Sequence, residues 1–316
     1  MKAFLAKLGL FTAIQVAVAA VFFLSVRVDE GSYLAATFDK HALLESAPSP
    51  RIIFVGGSST AMGIDCPTVR EILPEYHPVN MGLNAFLGLE FMLGEVSDDI
   101  RRGDVIVLSP EYELFLRDPG TYTVFEVVDM RPQSLAYLGW KKTADLGLVY
   151  FGRLAHNGIK GLKGRKSSKA IPPYTRDGFD AYGDLVSHRT GSVPRPPALR
   201  VQYLGLDPQT PAWLDEMIDR LNEFSALCAR RGARVVFVYP PFAESHFKQF
   251  RPAIMTIADR LEAGMDIPIL NIPREAVEPD EQFFDSSYHL IGSGAVARSR
   301  EIAVRLKVFL QRSEGN

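Results

Sequence analysis

The sequence predicts an α/β fold in which a mostly parallel sheet carries helices on both faces, preceded by a single membrane-spanning helix. From residue 51 onward, short apolar runs alternate with longer helical patterns, as in parallel α/β domains. The first run, Arg51–Val55, breaks into two glycines and a serine, a pattern typical of a buried strand that ends in a tight turn. The chain has 316 residues, 47% of them hydrophobic, and can therefore bury a full core.

The N-terminal stretch Leu8–Val26 contains 19 residues without a charge, enough to cross a bilayer as a helix. Lys2 and Lys7 precede it, whereas Asp29 and Glu30 soon follow it. Because the cytoplasmic flank of such a helix carries the excess of Lys and Arg, the residues after it are predicted to lie outside the cytoplasm. We therefore expect a single-pass protein of a bacterial-type inner membrane with a periplasmic C-terminal domain.

A cleaved signal peptide is the alternative interpretation of this stretch. Ala17-Val18-Ala19 has the small-residue pattern of a cleavage site. The apolar run continues past that point through Val21–Leu24, which favours retention in the membrane. Residues 1–27 are thus predicted to be a cytoplasmic tip and a transmembrane signal anchor.

The remaining chain divides into a stem and one folded domain. Residues 28–50 form a mixed segment that ends in Ala47-Pro48-Ser49-Pro50 and is predicted to be a stem. Residues 51–316 are predicted to form the domain. Its strand-like runs are Arg51–Val55, His77–Asn80, Asp104–Leu108, Arg234–Tyr239 and Pro268–Asn271. Its helical patterns are Thr68–Leu73, Phe86–Arg101, Pro211–Arg231, Phe250–Ala263 and Gly294–Arg312.

A basic insert at about residues 115–200 interrupts the alternation. From Gly139 to Arg200 it holds 12 Lys or Arg against 4 Asp, interspersed with aromatic residues. Such a long insert is either a lid or binding loop, here for an anionic glycan or lipid headgroup, or a solvated excursion. The basic cluster at its centre is Lys160, Lys163, Arg165, Lys166 and Lys169.

The composition disfavours several classes of protein. A net charge of −2 and the expected compartment disfavour nucleic acid as a partner. Cys66 and Cys228 are too few for a disulfide scaffold and are expected to be two small buried side chains rather than a bridge. The spacing of the histidines outside the motif below builds no metal site, so we expect neither a metal nor a cofactor.

Two remote segments could together carry chemistry. Ser58 follows the first strand in a Gly-rich turn, and Asp285 and His289 lie near the other end of the chain. A serine hydroxyl becomes a good nucleophile when an imidazole removes its proton, and a carboxylate can hold that imidazole in the required tautomer. Ser58 could instead cap the following helix or cradle a phosphate, and His289 and Asp285 could be structural.

At this point the chain resembles the SGNH, or GDSL-like, hydrolase superfamily. The resemblance rests on Gly56–Thr60 after the first strand, on Val79–Ala85 after the second, and on Asp285–Leu290 near the end. It covers the order of elements from residue 51 to 316 without the insert, and it implies a flavodoxin-like sheet. Gly57 stands where the superfamily usually has Asp, and the third strand leads into Ser109-Pro110-Glu111 rather than Gly-x-Asn-Asp.

The resemblance implies a role for each matching residue. Ser58 becomes the nucleophile, His289 the general base and Asp285 the acid that orients the imidazole. The oxyanion would be held by the Ser58 amide and by the loop from residue 82 to 85, whose candidate residues are Gly82, Asn84 and Ala85.

Membrane-anchored relatives with similar motifs take part in O-acetylation of polysaccharides and in D-alanylation of teichoic acids. By resemblance, this chain is expected to be an extracytoplasmic serine O-acyl esterase or acyltransferase that acts on a cell-envelope or secreted polysaccharide. A membrane-bound acyltransferase is the partner that the resemblance suggests. The alternative is a catalytically silent glycan-binding or scaffold protein of the same fold, within a membrane acylation or polysaccharide-export complex.

Overall fold

The computed structural model describes residues 1–25, 28–162, 172–189, 204–206 and 210–314. The helices are α1 (Lys2–Ser25), α2 (Ala36–Ser46), α3 (Ser58–Gly63), α4 (Cys66–Ile72), α5 (Leu89–Ser97), α6 (Tyr122–Met130), α7 (Gly139–Leu162), α8 (Thr210–Arg230), α9 (Glu244–Gly264) and α10 (Gly292–Glu314). The strands are β1 (Arg51–Val55), β2 (His77–Asn80), β3 (Val105–Leu108), β4 (Arg234–Phe237), β5 (Phe242–Ala243) and β6 (Val277–Glu278). Short 3-10 turns connect several of them.

The central sheet has the strand order β2-β1-β3-β4, and all of its pairings are parallel. Ile53 of β1 lies between Val79 of β2 and Ile106 of β3. A parallel bridge from Phe237 to Ile269 continues the sheet into the segment that the sequence predicts as the last strand. All residues of β1 are buried because both faces of the sheet are covered, which explains its continuous apolar run.

Helices cover both faces of the sheet. Ile53 and Phe237 belong to the larger core cluster, which includes apolar side chains of α5, α8 and α9. Phe54 and Val107 point to the opposite face, where α4 and α10 cover them. The predicted α/β architecture with a parallel central sheet is confirmed. Cys66 and Cys228 are both buried and unbridged, as expected.

Helix α1 is long and apolar enough to cross a membrane, by length and composition. None of the apolar span Lys2–Val21 is buried against the rest of the protein. In the described part of the chain, α1 lies alongside α7. The helix begins and ends close to the bounds expected of the anchor.

The segment predicted as a stem, residues 28–50, is instead part of the folded body. Ala36 and Leu44 of α2 are fully buried in the core. Lys40 is only 2% exposed, and its Nζ donates to the backbone oxygens of Asn80 at 2.7 Å and Gly183 at 2.5 Å. The mixed composition of this segment and its Pro-rich end suggested a stem, but the ammonium of Lys40 has its acceptors inside the protein.

The predicted insert contributes ordered structure as well. It supplies α6, α7 and the segment 172–189, which returns to the sheet edge where Leu185 is fully buried. Of the predicted basic cluster, Lys163, Arg165, Lys166 and Lys169 lie outside the described residues. Lys160 lies in the last turn of α7.

Candidate active site

Ser58 lies at the carboxyl end of β1, where parallel α/β sheets place their ligands. The strand ends at Val55, Gly56 and Gly57 form the turn, and α3 begins at Ser58. A side chain at position 56 has no room, because a Cβ there would lie 2.5 Å from the backbone oxygen of Ser109. The two glycines therefore let the chain turn sharply and leave Ser58 half-buried at the sheet edge.

The loop between β6 and α10 brings His289 and Asp285 to this serine. The Ser58 hydroxyl lies 2.9 Å from Nε2 of His289, and Nδ1 of the same ring lies 2.6 Å from Oδ1 of Asp285. A backbone hydrogen bond from Phe284 N to His289 O, 2.7 Å long, closes the loop. In this arrangement Nδ1–H donates to the carboxylate, and Nε2 is left to accept the serine proton. The structure thus brings the three predicted catalytic residues into one chain of hydrogen bonds.

Tyr174 is a fourth member of this group, and sequence reasoning missed it. Its hydroxyl donates to Oδ2 of Asp285 at 2.5 Å and lies 3.3 Å from Nδ1 of His289. The carboxylate therefore receives a proton donor on each of its two oxygens. Tyr174 comes from the insert, where the sequence shows only one aromatic residue among several and gives no pattern that relates it to Asp285.

The two backbone N–H groups best placed for an oxyanion belong to Ser58 and Ala85. Within the described part of the chain, neither has a hydrogen-bond acceptor. The Ala85 nitrogen lies beside the serine turn, since a Cβ built on Gly57 would be only 2.6 Å from it. Both donors belong to the oxyanion set predicted above.

Gly82 and Asn84, the other predicted oxyanion residues, make hydrogen bonds within the loop. The Gly82 N–H donates to Oδ1 of Asn80 at 2.9 Å, so it does not point at a substrate. The Asn84 side chain accepts from Phe86 N at 2.9 Å and begins the 3-10 turn that follows. A Cβ at Gly82 would lie 2.5 Å from Ala61 N, so a close approach between chain segments requires this glycine. The two residues shape the loop that carries Ala85.

Asp184 ties that loop to the insert. Its Oδ1 accepts from Asn80 Nδ2 at 2.8 Å, and its Oδ2 accepts from the Cys66 N–H at 2.6 Å. Burial raises the pKa of the Asp184 carboxyl to about 6, despite these donors. The nearby Lys40 ammonium has its pKa lowered to about 8, again by burial. Asp184, in the segment 172–189 of the insert, therefore fixes the position of the loop that follows β2.

Glu111 lies directly beneath the turn that carries Ser58. Its Oε2 accepts from Gly57 N at 3.1 Å and its Oε1 from Ser59 N at 2.9 Å, so the carboxylate holds the residues on both sides of Ser58. The side chain is buried, and burial raises the pKa of its carboxyl, although the backbone donors act in the opposite direction. The sequence leaves open whether this glutamate lines the pocket or the surface, and the structure places it inside.

Glu113, also left open by the sequence, lies behind the histidine loop. Its Oε2 accepts a hydrogen bond from the Tyr288 hydroxyl at 2.6 Å, and Tyr288 directly precedes His289. Burial raises the pKa of the Glu113 carboxyl to about 7. The pair connects the third strand to the loop that carries the imidazole.

The described residues contain no group of three or more His, Cys, Asp or Glu side chains that could hold a metal ion. No protein-family model matches the chain, and no curated protein matches it either. The function must therefore be inferred from the atoms of the site itself.

Proposed function

We propose that the protein is a serine O-acyl esterase or acyltransferase of SGNH type. The observation that carries the proposal is the hydrogen-bond chain from Ser58 through His289 to Asp285, with distances of 2.9 and 2.6 Å. A nucleophile, a base and an orienting acid in this order are the minimum required for acyl transfer through a covalent serine intermediate. Among the described residues, Ser58 is the serine whose hydroxyl contacts a histidine that is itself hydrogen-bonded to a carboxylate.

The geometry supports a two-step reaction. Nε2 of His289 accepts the Ser58 proton while Oγ attacks the ester carbonyl, and the N–H groups of Ser58 and Ala85 donate to the developing oxyanion. As the tetrahedral intermediate collapses, the alkoxide leaves with the proton from His289, and the acyl group remains on Ser58. A water molecule or a sugar hydroxyl then gives its proton to His289 and attacks the acyl-enzyme. Asp285 stabilises the imidazolium that forms in both steps.

The fold supports the proposed superfamily. The order β2-β1-β3-β4, extended by the bridge at Ile269, is the order found in flavodoxin-like sheets. The proposed nucleophile follows β1, the proposed oxyanion amide follows β2, and the histidine precedes the last helix α10. This is the order of functional elements that the resemblance implies.

The proposed setting is the outer side of a bacterial-type inner membrane. The apolar span of α1 and the charges that flank it favour a single-pass anchor with the domain in the periplasm. Solvent reaches the site, because the Asp285 side chain is 30% exposed and Ser58 is half-buried. A cell-envelope or secreted polysaccharide is the proposed substrate, with a membrane-bound acyltransferase as the proposed partner.

One observation favours the silent alternative, a glycan-binding or scaffold protein of the same fold. The Glu111 carboxylate lies beside the turn where an oxyanion would form, and no asparagine follows β3 as a further donor. A negative charge at this position opposes the negative charge of the intermediate. Burial raises the pKa of this carboxyl.

Hydrolysis of p-nitrophenyl acetate by the full chain in detergent micelles tests the proposal. We expect Ser58→Ala and His289→Ala each to lower kcat/KM by at least about 100-fold while the melting temperature stays unchanged, because both groups act in the transition state. Ser46→Ala and His156→Ala, at exposed helix positions outside the site, are the matched controls and keep the wild-type rate. Equal rates in the wild type and both site variants would reject the esterase and favour the scaffold.

A further inference from the structure

A cavity of about 400 Å³ opens beside the 3-10 turn that follows Asn84. Its walls come from α5, α6, α7, α8 and the loop after β2. The 3-10 turn Ala85–Leu87 joins the two sites, because its first residue supplies the proposed oxyanion N–H and its last residue lines the cavity. Ser58, Asp285 and His289 do not line it. The cavity is therefore a separate site whose wall is continuous with the catalytic loop.

Both tryptophans of the chain line this cavity. Trp213 is fixed by a hydrogen bond of 2.9 Å from Nε1 to the backbone oxygen of Leu114. Trp140, at the start of α7, is 85% exposed, which is unusual for so large an apolar ring. An exposed ring at the mouth of a cavity offers a flat apolar face on which a ligand can stack.

Ion pairs form the rim. Glu90 lies 3.2 Å from Lys142 and 3.3 Å from Arg220, and Lys142 also lies 3.7 Å from Asp118. With Asp145 and Glu216, the lining holds four carboxylates against two cations, a formal charge of −2. This sign disfavours a polyanion, while carboxylate and guanidinium groups can hydrogen-bond neighbouring hydroxyls in pairs.

We propose that this cavity binds a neutral glycosyl unit, which stacks on Trp140 and hydrogen-bonds to the charged rim. The flat C–H face of a pyranose matches the exposed ring, and its hydroxyls match the paired carboxylates and cations. A lipid tail does not need such a rim, and a uronate polymer is repelled by it. That the bound sugar is the acyl acceptor of the Ser58 reaction rests on the proposed function, whereas binding itself does not.

The two tryptophans make the test direct, because no other tryptophan contributes to the fluorescence. The full chain in detergent micelles is titrated with three neutral tetramers, namely maltotetraose, cellotetraose and tetra-N-acetylchitotetraose. An anionic tetramer, tetragalacturonate, is titrated in parallel. We expect a saturable change in emission with at least one neutral tetramer and none with the galacturonate. A Trp213→Phe variant isolates the Trp140 signal.

Substitutions of Trp140 separate stacking of the sugar on its ring from other causes of a change in emission. Trp140→Ala should weaken binding of the neutral tetramer at least about tenfold, read from the Trp213 emission, and Trp140→Phe should restore most of it because the ring is kept. The exposure of Trp140 predicts an unchanged melting temperature in both. No saturable change with any neutral tetramer, or an equal change with galacturonate, would overturn the proposal.

A membrane role for the ring is the competing outcome. In proteoliposomes, strong quenching of Trp140 emission by brominated phospholipid, insensitive to added tetramer, would place the ring in lipid and overturn the glycan site. Ser58→Ala distinguishes the two proposals, since it should keep sugar binding while ester hydrolysis is lost. Sugar binding without any hydrolysis in the wild type would leave the cavity proposal standing and reject the catalytic one.

Discussion

Adding a single methyl group at Gly57 is the sharpest test of the turn that carries Ser58. A Cβ at this position would lie 2.5 Å from both carboxylate oxygens of Glu111 and 2.6 Å from the Ala85 nitrogen. Ordinary contacts between such atoms begin at about 3.5 Å. The Gly57→Ala change must therefore move Glu111, Ala85 or the turn itself by about 1 Å in total.

The Gly57→Ala change is expected to lower both the stability of the protein and the rate of ester hydrolysis. Overpacking a well-filled site typically costs about 1–3 kcal/mol, so the melting temperature should fall by several degrees. A displacement of about 1 Å of a reacting group can lower a rate about 100-fold. Because Ser58 is adjacent to the substitution and Ala85 is the proposed oxyanion donor, we expect kcat/KM to fall by that order.

Thermal unfolding and ester hydrolysis of the full chain measure the two effects. Gly147→Ala is the matched control, because nothing lies within 4 Å of a Cβ at that position of α7. It should leave the rate unchanged and stabilise the helix slightly. Wild-type rate and melting temperature in Gly57→Ala would refute the reasoning.

Two further predictions concern the residues behind the site. Tyr174→Phe removes the hydroxyl that donates to Asp285, and a charge-assisted hydrogen bond contributes about 1.5–3 kcal/mol, so kcat/KM should fall about tenfold or more; an unchanged rate would contradict the role of the tyrosine. Glu113 has a pKa of about 7 in the folded chain against 4.5 ordinarily, so the folded state keeps its proton through this window while the unfolded state loses it. The stability of the wild type relative to Glu113→Gln should therefore fall, by about 3 kcal/mol at most, as pH rises from about 4.5 to 7. A difference in melting temperature between the two proteins that stays constant across this pH range would contradict the raised pKa of the buried Glu113 carboxyl.

Much of the framework could be predicted from the sequence because it depends on local patterns. β1 is buried on both faces, so its apolar run stands out, and the Gly56-Gly57-Ser58 turn marks its carboxyl end. The approach of His289 to Ser58 was expected only from the resemblance to the SGNH superfamily, because the strand before His289 belongs to the small β5-β6 sheet and not to the central one.

The missed features depend on tertiary contacts that leave no periodic pattern. Tyr174 reaches Asp285 only because the insert returns to the sheet edge. The burial of the segment before β1 depends on contacts such as those of Lys40, whose ammonium donates to two backbone oxygens inside the protein. The engagement of the Gly82 N–H by Asn80 follows from a side-chain conformation that a sequence does not encode locally.

Covalent labelling of Ser58 tests the central claim most directly. The full chain is treated with a fluorophosphonate, and the modified peptide is identified by mass spectrometry. We expect labelling at Ser58 that disappears in Ser58→Ala and slows by at least about 100-fold in His289→Ala, because the imidazole must remove the serine proton. Folded wild-type protein that takes up no label, or that is labelled at the same rate without His289, would contradict the account.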